Sequence, residues 1–148
     1  MIQIVQTMPA HLDYVRDHLR AGDLCEIACL GGTPAEALRA SYAGSIYART
    51  GISNGRIAAV WGCGGSPLGG VGEPWLLTTP EVERIPLRFV KIARDEVGQM
   101  LGLFPVLSNY VSVQNRQACK MLEVIGFRLG DPVRIGAGQW HEFRMERD

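Results

Sequence analysis

Several features are scarce in this 148-residue sequence, and each scarcity excludes a class of protein. No apolar run approaches the roughly 20 residues that a membrane-spanning helix needs, so we expect no membrane partner. The opening segment MIQIVQTMPAH lacks a basic region and a long apolar core, so no signal peptide is expected. Lys plus Arg and Asp plus Glu both number 15, and no long basic run occurs. A nucleic-acid partner is therefore not expected.

Cysteine and histidine are also few. The four cysteines show neither the paired C-x-x-C spacing of a zinc site nor the density of a disulfide scaffold. The three histidines, at positions 11, 18 and 141, have no partner at metal-ligand spacing. We therefore predict no metal site, and reduced thiols in a cytoplasmic protein.

The composition that remains is that of a folded chain, with 47% hydrophobic and 20% charged residues. This balance excludes a disordered or low-complexity protein. The length suits one hydrophobic core, and we find no internal repeat and no linker that would divide the chain. We predict that residues 1–148 form one domain.

Helix-start signals mark the first third of the chain. Pro9 suits the first position of a helix, and Thr33 followed by Pro34 is a strong N-terminal cap. Asp23 with Glu26 three residues later has the spacing of a capping box, which predicts a short helix after Asp23.

Strand signals precede and follow these helices. Ile2–Val5 alternates in hydropathy, and Asn54-Gly55 between two strand-like runs predicts a hairpin, because both turn positions need positive φ. The stretch GGSPLGGVGEP, residues 64–74, is rich in glycine and proline and predicts a loop. The apolar stretch 75–79 that follows predicts a strand.

The second half alternates helix and strand patterns. Apolar positions on one face predict a long helix from Ile85 to Leu101, then a strand over 105–113, and a helix that ends at Gly126. A last hairpin is predicted around GAGQ, residues 136–139. Strands interrupted by two crossover helices indicate an α/β or α+β domain with a mixed sheet and helices on its faces.

The stretch from Val111 to Phe127 carries a recognisable spacing. Asn115 is followed by Ala118, by the apolar pair at 121 and 122, and by Gly-Phe at 126 and 127. This spacing resembles the N-x-x-A-x-x-L-Y-x-x-x-G-F signature of the GNAT acyltransferase superfamily. The WLLT segment and the 105–115 segment are similar to those of a divergent bacteriophage-encoded branch, related to an internal virion protein of T7-like phages.

The resemblance implies a fold and a cofactor. The fold is a GNAT-like mixed, mostly antiparallel sheet with a central splay, flanked by helices on both faces. The cofactor is acetyl-CoA, whose pantetheine arm would pair with the backbone of Leu77, Thr78 and Thr79. Its pyrophosphate would lie at the start of the long helix, near Arg84 and Arg88. The resemblance also implies that Asn115 fixes the splayed strand against the last helix.

Two positions depart from the family pattern. The family's glycine-rich phosphate loop is replaced by TTPEVERIPLRF, which has no glycine. Many members of the family use a tyrosine on the last helix as the general acid that protonates the leaving thiolate. Leu122 occupies the matching position here and cannot exchange a proton. The catalytic residues are thus unassigned, with Glu73 as the candidate base and Ser108 and Tyr110 as nearby polar candidates.

Two functions remain open at this point. The first is an N-acetyltransferase that acts on a small-molecule or protein amine, in the cytoplasm. The second is a non-catalytic GNAT-fold phage protein that acts in virion assembly or host interaction, with a phage or host protein as partner and the virion or host cytoplasm as location. A homodimer is compatible with either function.

Overall fold

The computed structural model describes residues 2–148, which form five α-helices and eight β-strands. The helices are α1 (Pro9–Asp17), α2 (Ala21–Cys29), α3 (Pro34–Ala43), α4 (Pro86–Leu103) and α5 (Arg116–Ile125). The strands are β1 (Ile2–Gln6), β2 (Ser45–Ser53), β3 (Arg56–Ser66), β4 (Val71–Thr78), β5 (Val106–Ser112), β6 (Arg128–Leu129), β7 (Val133–Ile135) and β8 (Gly138–Glu146). Short 3-10 turns span Pro67–Gly69 and Pro80–Arg84.

The strands form one mixed sheet in the order β1-β2-β3-β4-β5-β8-β6, and β7 pairs with β8. Every pairing is antiparallel except that of β4 with β5, which is parallel. The predicted fold class, a mostly antiparallel mixed sheet with helices on both faces, is confirmed.

Two apolar clusters cover the two faces of the sheet. On one face α1, α2 and α3 pack against β3 and β4, with Val15 and Val60 fully buried. On the other face α4 and α5 pack over β3, β5 and β8, with Phe104 and Leu107 fully buried. Within β3, Val60 belongs to the first cluster and its neighbours Ala59 and Trp61 to the second, as the alternation of side chains along a strand requires.

The local signals located most of the elements. Asn54 and Gly55 form the β2–β3 turn with φ of 51° and 79°, which confirms the hairpin. The hydroxyl of Thr33 accepts a hydrogen bond of 3.2 Å from the Glu36 N–H, which confirms the cap of α3. Gly126 follows the last residue of α5 and has φ of 125°.

Two local predictions were wrong. Residues 64–74 do not form one loop, because β3 extends to Ser66 and β4 begins at Val71. Gly72 lies inside β4, where a Cβ atom would come within 2.5 Å of the Phe104 ring, so close packing explains the glycine there. Asp23 is not a helix cap either, since α2 begins at Ala21 and Asp23 lies in its first turn.

The sheet opens between β4 and β5. The two strands pair only at Val71 with Val106 and at Gly72 with Leu107, and then diverge toward their carboxyl ends. The predicted central splay is therefore present. None of the helices within residues 2–148 is both long and apolar enough to cross a membrane.

Candidate functional site

The edge of β4 that faces the splay is defined by two hydrogen bonds that run in opposite directions. The N–H of Thr79 donates to Ala58 next to β3, at 2.9 Å, whereas the N–H of Thr78 points away from β3. Because backbone groups alternate between the two edges of a strand, Leu77 faces β3 and Leu76 faces the splay. No group within residues 2–148 hydrogen-bonds to the Leu76 backbone on that side.

The narrow end of the splay is closed by a side chain. The amide Nδ2 of Asn109 on β5 donates to the carbonyl of Pro74 on β4, at 2.9 Å. The Oδ1 atom of the same side chain accepts from the N–H of Tyr110, also at 2.9 Å. Asn109 thus replaces the next rung of strand pairing and fixes where the opening begins.

The wide end of the splay is occupied by Arg20, just before α2, and by the first turn of α2. The Oδ2 atom of Asp23 accepts from both the N–H of Thr78, at 2.9 Å, and its hydroxyl, at 2.8 Å. The N–H of Arg20 donates to the carbonyl of Thr78, at 3.1 Å. All three polar groups of Thr78 are therefore satisfied within the chain.

The same helix also holds the opposite strand. The Oε1 atom of Glu26, three residues after Asp23, accepts from the N–H of Ser112 at 2.9 Å and from the amide of Asn115 at 3.2 Å. Asn115 in turn caps α5, because its Oδ1 atom accepts from the N–H of Ala118 at 3.4 Å. α2 therefore spans the splay, with one carboxylate on β4 and one on β5.

Burial removes both carboxylates of α2, Asp23 and Glu26, from water and so disfavours their charged forms. Burial raises the pKa of Asp23 above its ordinary value, and the hydrogen bonds from Thr78 oppose that shift. Burial likewise raises the pKa of Glu26, against the hydrogen bonds from Ser112 and Asn115. The charged forms are thus held by specific donors in a site that disfavours charge.

An apolar cavity of about 80 Å³ lies beside the splay, between the sheet and helices α4 and α5. Leu76 of β4 and Leu122 of α5 are among its lining residues. Its one charged lining residue is Glu96, which is 2.9 Å from the guanidinium of Arg49. Trp61 also lines the cavity, and within residues 2–148 its buried indole N–H has no acceptor. The cavity is therefore apolar, it borders the unpaired backbone edge of β4 at Leu76, and within the described part of the chain it contains one unpaired hydrogen-bond donor, the indole N–H of Trp61.

The segment between β4 and α4 differs from a backbone phosphate cradle. Residues Pro80–Arg84 form a 3-10 turn, so its N–H groups bond within the turn or to Thr79. The carboxylate of Glu81 lies 3.8 Å from Arg84 and 4.0 Å from Arg56. The backbone N–H groups of this turn are therefore already hydrogen-bonded. The guanidinium of Arg84 lies next to the Glu81 carboxylate.

The first turn of α4 offers the remaining anion-binding groups. Pro86 has no N–H, and the first helical bond joins Phe89 to Ile85, which leaves the N–H groups of Leu87 and Arg88 without intrahelical partners. The Arg88 side chain is exposed, and Leu87 is 86% exposed. The phosphate-binding roles of Arg84 and Arg88 stay predictions.

The catalytic candidates lie on the face of the sheet that carries α1–α3. Because Gly72 pairs with Leu107, Glu73 and Ser108 occupy adjacent positions on β4 and β5 where the splay begins. Glu73 is exposed and lies inside β4, not in the predicted loop of residues 64–74. The Ser108 hydroxyl donates to Glu142, and Tyr110 is 47% exposed on the same face. Their catalytic roles stay predictions.

The structure brings together some of the predicted site residues and adds others. Thr78 and Asn115 lie at the two sides of the splay, both bound to α2, whereas Thr79 and Leu77 direct their backbones to β3. The residues that sequence reasoning missed are Leu76, Asn109 and the α2 carboxylates. The strand alternation could have identified Leu76, but the capping-box spacing of Asp23 and Glu26 pointed to a local role.

Within residues 2–148 no three His, Cys, Asp or Glu side chains come close enough together to bind a metal ion. The four cysteines are free thiols, and burial raises the pKa of Cys63 to about 11 and that of Cys119 in the same direction.

Several solved structures of acetyltransferases have the same architecture as this chain. The aminoglycoside acetyltransferase AAC(6')-Ib in complex with coenzyme A superposes with a TM-score of 0.72 at 15% identity, over 99% of this chain and 95% of that one. A spermidine N-acetyltransferase chimera that includes the Vibrio cholerae enzyme gives 0.71 at 10% identity, over 98% and 95%. A GNAT-family acetyltransferase from Bacillus anthracis gives 0.68 at 11% identity, over 97% and 92%.

No family model matches the chain, and no curated protein matches it either. The similarity to the solved structures extends over nearly the whole of residues 2–148, at identities that establish the fold alone. This chain has the fold of the GNAT acetyltransferases.

Proposed function

We propose that this chain is a GNAT-like N-acetyltransferase that moves the acetyl group of acetyl-CoA to an amine by direct transfer. The observation that carries the proposal is the free strand edge at Leu76, which lies in the splay and borders an apolar cavity. An extended amide-containing chain can pair with such an edge as an added strand. Neighbouring folds crystallised with coenzyme A or acetyl-CoA support this choice of donor.

The residues fit the pantetheine part of the donor better than its phosphates. Leu76 offers one N–H and one carbonyl, and the cavity beside it is apolar. The 3-10 turn that precedes α4 offers no comparable set of free N–H groups. We therefore assign phosphate contacts to the side chains of Arg84 and Arg88 and to the first turn of α4.

Acetyl-CoA supplies a thioester whose acetyl group an amine nitrogen can take directly. The chain's own contribution is to orient the donor along β4 and to accept a proton from the acceptor ammonium. Glu73 is the proposed base, because it is exposed, lies on β4 and borders the start of the splay. Leu122 cannot supply a proton to the departing sulfur, and Ser108 and Tyr110 on β5 are the polar candidates for that role.

A small-molecule amine is the proposed acceptor class, with a protein amine as the alternative. Solved neighbours include an aminoglycoside acetyltransferase bound to kanamycin and a spermidine N-acetyltransferase. The face that carries Glu73 and Tyr110 is exposed next to the splay, so an acceptor has access to the reacting end of the donor.

Acetyl transfer is tested by incubating the protein with acetyl-CoA and, separately, with spermidine, kanamycin and a lysine-containing peptide. Free thiol is followed with a chromogenic reagent, and the acetylated amine is identified by mass spectrometry. We expect thiol release that depends on at least one amine. Folded protein that releases no thiol above the protein-free control with any of them would contradict the proposal.

A second candidate is favoured by a specific observation. The backbone of Thr78, on the β4 edge where an acyl donor would pair, is already hydrogen-bonded to Arg20 and Asp23. The turn after β4, Pro80–Arg84, does not offer a set of free N–H groups for phosphate. These features suit a non-catalytic GNAT-fold protein, such as a phage protein in virion assembly or host interaction. Absence of both acetyl-CoA binding and thiol release would support this candidate.

A further inference from the structure

The segment from Arg20 to Glu26, here called the α2 strap, occupies the edge that an acyl donor would need. An added strand that pairs along β4 uses alternate residues of the exposed edge, which are Leu76 and Thr78. Leu76 is free, but the Thr78 N–H is bound by Asp23 and its carbonyl by Arg20. The strap thus stands where the second pair of donor hydrogen bonds would form.

The strap is attached on both sides of the opening. Asp23 binds the end of β4, and Glu26 binds Ser112 and Asn115 at the end of β5. The approach to Asn115 is close, because a Cβ atom added at Gly22 would lie 2.7 Å from the Asn115 Oδ1 atom. The fit of α2 against both strands therefore depends on one glycine and two carboxylates.

The attachment at Thr78 consists of hydrogen bonds to the Asp23 carboxylate, which is removed from water in the folded protein. Asp23 is 7% exposed, and burial raises its pKa, so its charged form is less stable there than in water. On the outward side of α2, next to Asp23, Leu24 is 42% exposed to solvent. Release of Asp23 exposes a carboxylate to water and frees the N–H and hydroxyl of Thr78.

We infer that the α2 strap competes with the acyl donor, so that the donor pairs with Thr78 only after Asp23 leaves it. Asp23 is then a positioning residue that sets donor affinity by holding the strand edge closed. This inference rests on the proposed acetyl-CoA binding and adds to it a conformational requirement. A site whose competent state is a minor fraction binds its ligand more weakly by that fraction.

The first test compares acetyl-CoA binding by isothermal titration calorimetry across a graded series. Asp23→Asn keeps a neutral acceptor for Thr78, and Asp23→Ala removes the acceptor. We expect affinity to rise from wild type to Asp23→Asn to Asp23→Ala, with a gain of about tenfold for the last. Asp13→Ala is the matched control, since Asp13 is exposed on α1 and forms its ion pair with Arg16 of the same helix. Circular dichroism checks that each variant is folded.

The second test needs no variant. Amide hydrogen exchange of the wild-type protein, read in peptides that cover residues 20–29, should become faster when acetyl-CoA is added, because the donor displaces the strap. A purely structural α2 would exchange at the same rate or more slowly with ligand bound.

The outcomes separate the two claims. Two results would contradict the claim that the α2 strap competes with the donor. One is equal or weaker acetyl-CoA binding by folded Asp23 variants, and the other is an α2 segment that stays protected with donor bound. Either result leaves the proposed function in place. If neither wild type nor any variant binds acetyl-CoA, the proposed function and the inference both fail.

Discussion

The side-chain amide of Asn109 on β5 donates a 2.9 Å hydrogen bond to the carbonyl of Pro74 on β4. This contact lies just beyond the last backbone pair, Gly72 with Leu107. Proline has no N–H to give to a neighbouring strand, so Pro74 already ends the regular pairing. Both strands therefore contribute to the splay. β4 has no backbone N–H at Pro74, and a side chain of β5, Asn109, takes the place of a backbone donor to the Pro74 carbonyl.

Packing at this closed end predicts a sensitive glycine. A Cβ atom at Gly72 would lie 2.5 Å from the Phe104 ring, which is fully buried and cannot move without disturbing the core. We expect Gly72→Ala to destabilise the protein by about 1–3 kcal/mol in urea unfolding. Gly69→Ala is the matched control, because in residues 2–148 its added Cβ would meet no atom within 4 Å apart from those of its chain neighbours. Similar midpoints for the two variants would contradict this account of the β4–β5 junction.

Glu26 predicts a pH dependence of stability. Burial raises its pKa in the folded protein, so the folded state holds this proton more tightly than the unfolded state does. The stability linked to Glu26 is complete below its unfolded pKa, about 4.3, and is lost as pH rises through the raised value. The unfolding free energy of wild type minus that of Glu26→Gln should therefore fall as pH rises through this window.

The measurement is urea unfolding of both proteins at a series of pH values. Glu36→Gln, at the exposed start of α3, controls for the removal of a carboxylate in general. A difference that does not change with pH, or that grows as pH rises, would show that burial does not govern Glu26.

The phosphate contacts predict a difference between two donors. Acetyl-CoA carries the pyrophosphate, whereas acetyl-pantetheine carries only the arm. We expect the double variant Arg84→Ala, Arg88→Ala to bind acetyl-CoA about tenfold more weakly and acetyl-pantetheine unchanged, because only charged contacts are removed. Arg39→Ala, exposed on α3, is the control. An equal loss for both donors, or no loss for acetyl-CoA, would refute the assignment.

The proposed base predicts a rate effect without a binding effect. Glu73→Gln keeps the size and polarity of the side chain but cannot take a proton. We expect kcat to fall by roughly 100-fold while the affinity for acetyl-CoA is unchanged. Glu146→Gln, an exposed carboxylate that contacts Arg144, serves as the control. Full activity in Glu73→Gln would remove Glu73 from the mechanism.

The sequence predicts features that depend on near neighbours in the chain. Asn54-Gly55 specifies its hairpin because the turn itself needs positive φ, and the Asn115 to Gly126 stretch contains both a helix cap and its stop. The glycine- and proline-rich segment was misjudged, because Gly72 is required by a ring 32 residues further along the chain. Composition records the glycine but not the ring that packs against it.

The candidate site shows the same limit more strongly. Asp23 and Glu26 have capping-box spacing, yet they bind Thr78 and Ser112, which are 55 and 86 residues away. Nothing in the local sequence distinguishes a carboxylate that caps its own helix from one that reaches across a sheet. Strand alternation alone would have favoured Leu76 over Leu77 as the donor edge, once the partner of β4 was known.

Thermal unfolding with and without acetyl-CoA tests the central claim, which is that the splay binds an acyl donor. A ligand that binds only the folded state stabilises it in proportion to the logarithm of its concentration over Kd. We predict a melting temperature that rises progressively as acetyl-CoA is increased to roughly 1 mM, the upper end of usual KM values. A melting temperature that does not change over this range would contradict donor binding and, with it, the acetyltransferase proposal.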